Sequence, residues 1–167
     1  MNLPPYPRFP ELSDESVLMR QIVYDDIEDI ISISFYNGQP ASNVEEAVLM
    51  DQKIEANYQN GDTIHWGIMD KSSQKIVGTC GFYRGFANGF GELGCVLLPQ
   101  FRKLGYMTHA MKLAIQFGIQ NMGLKRIWAA TSKQNNNAIK LLQRLQFIEV
   151  SSDAESITFE FNQNAQN

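Results

Sequence analysis

Two cysteines, two histidines and a charged share of only 19% leave this 167-residue chain short of several kinds of chemistry. Cys80 and Cys95 both lie in apolar, strand-like sequence, which argues for free buried thiols over a disulfide or a nucleophile. His65 and His109 stand alone in sequence and no cysteine has metal-ligand spacing, so no metal is implied. No glycine-rich stretch ends in Gly-Lys-Ser/Thr and no G-x-G-x-x-G follows a strand, so nucleotide hydrolysis and nicotinamide binding lose ground. No apolar run is long enough for a membrane span, and Met1-Asn2-Leu3-Pro4-Pro5 lacks the charged-then-apolar order of a signal peptide. A cytoplasmic protein with no membrane contact is expected. The net charge of -4 argues against direct nucleic-acid binding, although a local basic loop can still hold a small polyanion.

What is present is a globular composition, 44% hydrophobic, expected to form one domain over residues 1–162 with a disordered Asn/Gln-rich tail over 163–167. Alternation predicts a first strand over 16–22, after which Asp25 or Asp26 is expected to cap a helix carrying Ile27, Ile30, Ile31 and Ile33. Asn43, followed by Glu45 and Glu46, opens a second helical stretch that runs to Tyr58. Strands follow over 63–69 and 75–83, then 90–98, with Asn88-Gly89 as a hairpin signal because both central turn positions need positive φ.

The most informative stretch runs from Gly91 to Val150. A strand over 92–98 ends at Pro99, a basic loop with one glycine covers 102–107, and Ala110, Met111, Ala114, Ile115, Gly118 and Met122 make one face of a helix that Gly123 terminates. The strand Arg126 to Ala130 is reached by that helical crossover and is therefore expected to run parallel to the strand before the loop. A helix over 137–145 and a hairpin of 147–151 with 157–161 close the chain. Backbone N–H groups and the positive end of a helix dipole converge where such a loop enters a helix, so an anion is expected there. The plain alternative is an ordinary connection with Gly105 as a permissive turn residue and Arg102 and Lys103 solvated.

The order Pro99-Gln100-Phe101-Arg102-Lys103-Leu104-Gly105-Tyr106-Met107-Thr108-His109-Ala110, with Asn135 and the helix exit at Phe147 downstream, resembles the GNAT N-acetyltransferases. Within them it is most similar to the branch that acetylates the N-terminal amine of ribosomal proteins. Leu18-Met19-Arg20 before Asp25-Asp26-Ile27 extends the likeness to the start of the chain. The resemblance implies an α/β (mixed α+β) fold: a single mixed, mostly antiparallel sheet with helices on both faces and a splayed parallel strand pair. It also implies acetyl-CoA as cosubstrate, an amine acceptor as partner, and a monomer or homodimer.

By the same resemblance, Arg102, Lys103, Leu104, Gly105, Tyr106, Met107 and Thr108 would hold the pyrophosphate, and the backbone of Val96, Leu97 and Leu98 would pair with the pantetheine arm. Asn135 would hydrogen-bond near that arm, and Glu92 would serve as general base. The plain readings are a helix-leading asparagine and a surface glutamate. Met107 stands where the family has a small residue, and Lys103 where a glycine is common in this branch. The tyrosine that protonates the leaving thiolate in many relatives is Leu142 here, and the serine assigned that part in the ribosomal branch is Ala138. Tyr106 and Ser132 are the substitutes at hand. Tyr83, Arg84, Phe86 and Phe90 flank the hairpin, where aromatics serve sheet packing or wall an acceptor site.

Three functions follow from this reading: acetyl transfer to a protein N-terminal α-amine, the same chemistry on a small amine such as a polyamine, amino acid or aminoglycoside, or acyl-CoA binding without catalysis. An α-amine is favoured energetically, because its unperturbed pKa makes neutralising it at pH 7 about 3 kcal/mol easier than neutralising a lysine amine.

Overall fold

The structure, a computed structural model, describes residues 1–163. Of the expected tail, Gln163 is described and its side chain donates to the Lys125 carbonyl at 2.9 Å, while residues 164–167 lie outside the described residues.

The strands are β1 Leu12–Ser13, β2 Val17–Arg20, β3 Phe35–Tyr36, β4 Gln39–Pro40, β5 Ile64–Asp70, β6 Ile76–Tyr83, β7 Phe90–Leu97, β8 Arg126–Ser132, β9 Phe147–Ser152 and β10 Ser156–Phe161. The helices are α1 Ile27–Ile30, α2 Val44–Gln59, α3 Tyr106–Phe117 and α4 Asn136–Arg144. Eight strands form one sheet in the order β1-β2-β5-β6-β7-β8-β10-β9, and β3 pairs with β4 apart from it. Every pairing is antiparallel except β7 with β8, as the crossover through α3 requires.

Helices cover both faces. α3 and α4 bury Ala110, Met111, Ala114, Ile115, Leu141 and Leu142 against a sheet face that includes Trp66, Cys80, Phe82, Leu93 and Leu97. Trp66 and Phe117 meet edge to face, with ring centroids 5.5 Å apart. On the other face α1 and the 3₁₀ segment after it set Ile30 and Ile33 against Met69, Ile76 and Leu98. α3 widens into a π-turn over Gly118–Met122 before Gly123 ends it in the left-handed region, as its glycine predicts.

Asn43 caps α2 as expected, its side chain accepting from the Glu46 N–H at 2.8 Å. The first helix departs from expectation. It is a single α-turn between two short 3₁₀ segments, and neither aspartate caps it through its side chain in the expected way. Asp26 instead accepts two bonds from Arg20, at 2.7 and 2.9 Å, and one from the Val23 N–H at 2.8 Å. The bidentate guanidinium is the stronger partner for a carboxylate, so Asp26 clips α1 to β2. The Asn88-Gly89 signal marks a true hairpin, since β6 and β7 pair antiparallel, but its connection is longer than a two-residue turn. Both residues do take positive φ, 58° and 78°, but they end a connection over 84–89 in which Arg84 and Gly85 do so as well.

Candidate functional site

The parallel pairing of β7 with β8 covers only Phe90, Gly91 and Glu92 against Arg126, Ile127 and Trp128. β7 continues to Leu97 and β8 to Ser132 without further pairing, so the strands diverge after Glu92. Backbone direction on β7 follows from its antiparallel ladder with β6. The Leu98 N–H bonds the Val77 carbonyl at 2.9 Å, and alternation then turns Val96, Gly94 and Glu92 toward β6. The Leu93 N–H is still spent on the Trp128 carbonyl, so the open edge is left to the Leu93 carbonyl, Cys95 and Leu97. Of the three residues expected at that edge, only Leu97 presents its backbone there, and its carbonyl accepts from Arg102 Nε at 3.4 Å. Val96 spends its backbone on β6, while Leu98 donates to the Val77 carbonyl and accepts from the Phe101 N–H at 3.0 Å.

Just beyond lies the basic loop. Arg102, Lys103, Leu104 and Gly105 are exposed, and Lys103 (φ 65°) and Gly105 (φ 92°) both occupy the left-handed region. A β-carbon disfavours that region, so glycine suits position 105, whereas Lys103 adopts it at some cost. None of the backbone N–H groups from Lys103 to Met107 has an acceptor among the described residues, while Thr108 and His109 donate to the Gly105 carbonyl. α3 begins at Tyr106, so these unbonded donors sit at the positive end of its dipole. The Met107 side chain is partly buried against the main core. Thr108 Oγ1 accepts from Arg144 Nη2 of α4 at 3.3 Å, which brings to this end of α3 a third cation that sequence reading missed. The pair is 36 residues apart, and no local pattern announces it.

His109, alone in sequence, bonds the Asp14 carboxylate through Nδ1 at 2.6 Å, with Glu15 at 3.9 Å. That contact ties the turn between β1 and β2 to α3. Tyr106 shares the crevice beside it with Asp70 and Ser72. Ser132 Oγ accepts from the Gln134 N–H, and Leu142 is buried.

On the opposite face from α3, a cavity of about 230 Å³ opens between α1, α2 and the sheet. Ile22, Ile27, Ile30, Ile33 and Ile54 wall it, and Gly94, Cys95 and Val96 form its rim on the diverging strand. Gly94 admits the Tyr83 ring: a β-carbon there would lie 2.9 Å from a ring carbon. Tyr83 itself lines the cavity, whereas Phe86 is buried in the core and Phe90 sits under the Arg126 guanidinium. Of the two thiols, Cys80 is buried as expected and Cys95, its cross-strand partner, is only half-buried, since it faces the divergence. The Cys80 thiol and burial push the Cys95 thiol well above its ordinary pKa, which keeps it protonated and a poor nucleophile.

Polar groups also line the cavity: Asp51 from α2, and His65, Thr79 and Tyr83 from the sheet. Burial raises the Asp51 carboxyl to about 6, helped by the negative charges of Glu55 and Asp26. Burial lowers the His65 imidazole to about 4, so it is neutral at pH 7, and its Nδ1 is shielded from solvent without a partner. Glu92 stands two residues before Gly94 on the same face of β7 but does not line the cavity. Its carboxylate lies 3.1 Å from Arg84, a contact that is ionic and lacks hydrogen-bond geometry. Burial raises the Glu92 pKa and Arg84 offsets part of the rise. Asn135 Oδ1 accepts from the Ala138 N–H at 3.1 Å and so caps α4, its plain structural role.

The chain is 26% identical over 147 residues to the uncharacterized N-acetyltransferase YoaA of Bacillus subtilis, covering 83% of each chain. It is 29% identical over 138 residues to the uncharacterized N-acetyltransferase p20 of Bacillus licheniformis, covering 82% of this chain and 75% of that one. Among solved structures, the ribosomal-protein-S5-alanine acetyltransferase of Vibrio fischeri superposes with a TM-score of 0.76 at 18% identity, over 93% and 98% of the two chains. A dodecameric spermidine N-acetyltransferase of Vibrio cholerae does so at 0.76 and 12% identity, over 92% and 97%. These two share the fold while their names give different acceptors. The profile of the Acetyltransferase (GNAT) domain matches residues 16–148, and with that match over most of its length the chain belongs to the GNAT family and is an acetyl-CoA-dependent N-acetyltransferase.

Proposed function

We propose that the acetyl group passes to a primary amine that enters through the isoleucine-walled cavity, and that this amine is the α-amine of a protein or peptide N-terminus. The observation that carries the reading is that Gly94, Cys95 and Val96 form both the rim of the cavity and the middle of the diverging strand. An acceptor held on one side of β7 therefore meets a thioester laid along its open edge.

The residues present fit the cosubstrate. A diphosphate needs several donors and positive charge at one place, and the unbonded N–H groups of Lys103 to Met107, with Arg102 and Lys103 beside them, supply both. Arg144 adds charge through its place on Thr108. Acetyl-CoA brings the activated acyl group; the chain's part is to hold, orient and move protons. The N–H group of Cys95 on the open edge would steady the carbonyl oxygen as it gains charge. The amine nitrogen bonds to the carbonyl carbon as the carbon–sulfur bond breaks, and the electron pair leaves with the thiolate. Glu92, with its pKa raised by burial, would take the amine's proton directly or through water. The thiolate takes its proton from solvent, consistent with Leu142 and Ala138 in place of an acid and with a model thiol pKa near 8.5.

The test is thiol release from acetyl-CoA across N-terminal peptides and small amines. Turnover fastest on peptide α-amines is expected, and turnover confined to small amines would overturn the peptide assignment. Arg102→Glu is expected to raise the apparent KM for acetyl-CoA by about tenfold or more, because it replaces an attractive charge with a repulsive one. An unchanged KM would refute the phosphate contact.

A further inference from the structure

Helix α2 turns Ala47, Met50, Asp51 and Ile54 toward the sheet, the spacing of one apolar stripe. A carboxylate interrupts that stripe inside the cavity. Asp51 is half-buried there, and a charge drawn even partly out of water normally has a hydrogen-bonded or ionic partner, because desolvating it alone is costly. Asp26, close by, obeys the rule: burial pushes its carboxyl up, but Arg20 and the Val23 N–H outweigh the rise and hold it below the usual range. Glu55, one turn on, accepts from Gln21 and Gln59. Asp51 has neither kind of partner among the described residues, and its charged neighbours are acids. His65, across the same cavity, offers a second unmet acceptor when its proton is on Nε2. Five isoleucines supply most of the aliphatic wall, and Ser34, Thr79 and Tyr83 add hydroxyl groups.

We infer that Asp51 holds a second positive charge on the acceptor, an ammonium carried on an aliphatic stem that lies against the isoleucines while the reacting amine reaches the rim at Gly94 to Val96. Two sources have this chemistry, an aliphatic diamine and a peptide whose first residue is lysine. The inference rests on the cavity being the acceptor's entrance, as argued above. It is separable from that reading because selectivity and turnover are read independently.

The experiment compares matched pairs: a peptide beginning with lysine against the same peptide beginning with norleucine, and 1,5-diaminopentane against pentylamine. Each is assayed for thiol release with the wild-type enzyme and with Asp51→Asn. The charged member is expected to win by about 30-fold in kcat/KM in at least one pair, through KM, with the winning pair naming the source. In Asp51→Asn that preference should collapse to within about threefold. Equal use of both members by the wild-type enzyme overturns the inference. So does a kcat loss in the variant that strikes both members alike, since that marks a base. If no amine is turned over, the proposed function fails, and calorimetric titration of 1,5-diaminopentane and pentylamine into the protein still decides this point. Tighter diamine binding that Asp51→Asn abolishes supports it, and indifference to the second charge overturns it.

Discussion

The two faces of the sheet are built on different terms. The face under α3 and α4 is dry: Trp66, Phe82 and Phe159 are almost wholly buried, and no carboxylate, amine or imidazole stands among the described residues that pack there. The face under α1 and α2 encloses a cavity, and its lining includes a carboxyl and an imidazole whose pKa values burial moves in opposite directions. Stability is concentrated on the first face, and in the function proposed above acceptor recognition falls to the second. The diverging strand β7 serves both, with Leu93 and Leu97 in the core and Gly94 and Val96 on the cavity.

The comparison breaks if the dry face is not where stability lies. Trp66→Ala is expected to cost about 3–5 kcal/mol in denaturant unfolding, the range for an aromatic removed from a packed core. Ile54→Ala, at the edge of an existing cavity, should cost clearly less; equal losses would erase the distinction. A catalytic test of similar size is Glu92→Gln, expected to lower kcat about 100-fold, near 3 kcal/mol, with little change in unfolding. Undiminished activity would remove Glu92 from the mechanism without touching the fold.

A smaller effect sharpens the contrast through pH. Asp51, raised to about 6, binds its proton more tightly folded than unfolded, so its contribution favours folding at low pH and is lost as pH rises from about 4 through 6. His65, lowered to about 4, does the reverse: its contribution is present above its unfolded value near 6.5 and is lost as pH falls toward 4. The two slopes oppose each other between pH 4 and 6. Asp51→Asn should therefore gain about 1 kcal/mol at pH 7.5, a figure discounted for the side chain's partial solvation, and should lose stability on acidification more steeply than the wild type. His65→Gln should tilt the profile the other way. Parallel unfolding curves for all three proteins across this range would show that the groups titrate as they do in the unfolded chain.

Much of this was legible in the residues. β-Branched and aromatic content with the turn signals between them located β5, β6 and β7, the Asn43 cap located α2, and the crossover through α3 implied the parallel pair. The loop from Arg102 to Thr108 was readable because its donors are consecutive in sequence. Asp51 was not, since a lone acid in a helix looks like a solvated charge until the face it occupies is known. Asp26 was misread for a related reason: a cap and a clasp use the same carboxylate, and the position of Arg20 across the β2–α1 turn decides between them. Asn135 kept its local role because the N–H it caps is three residues away.

By itself the sequence determined what local chemistry can specify: periodicities of two and of three to four residues, caps, left-handed turn positions, and a run of amides at the head of a helix. Only the tertiary structure decided where β7 leaves β8, which edge of β7 stays open, and that Asp51 faces His65's cavity without a cation. Those are properties of elements brought together from distant parts of the chain, and their energies depend on how much water each group loses on packing.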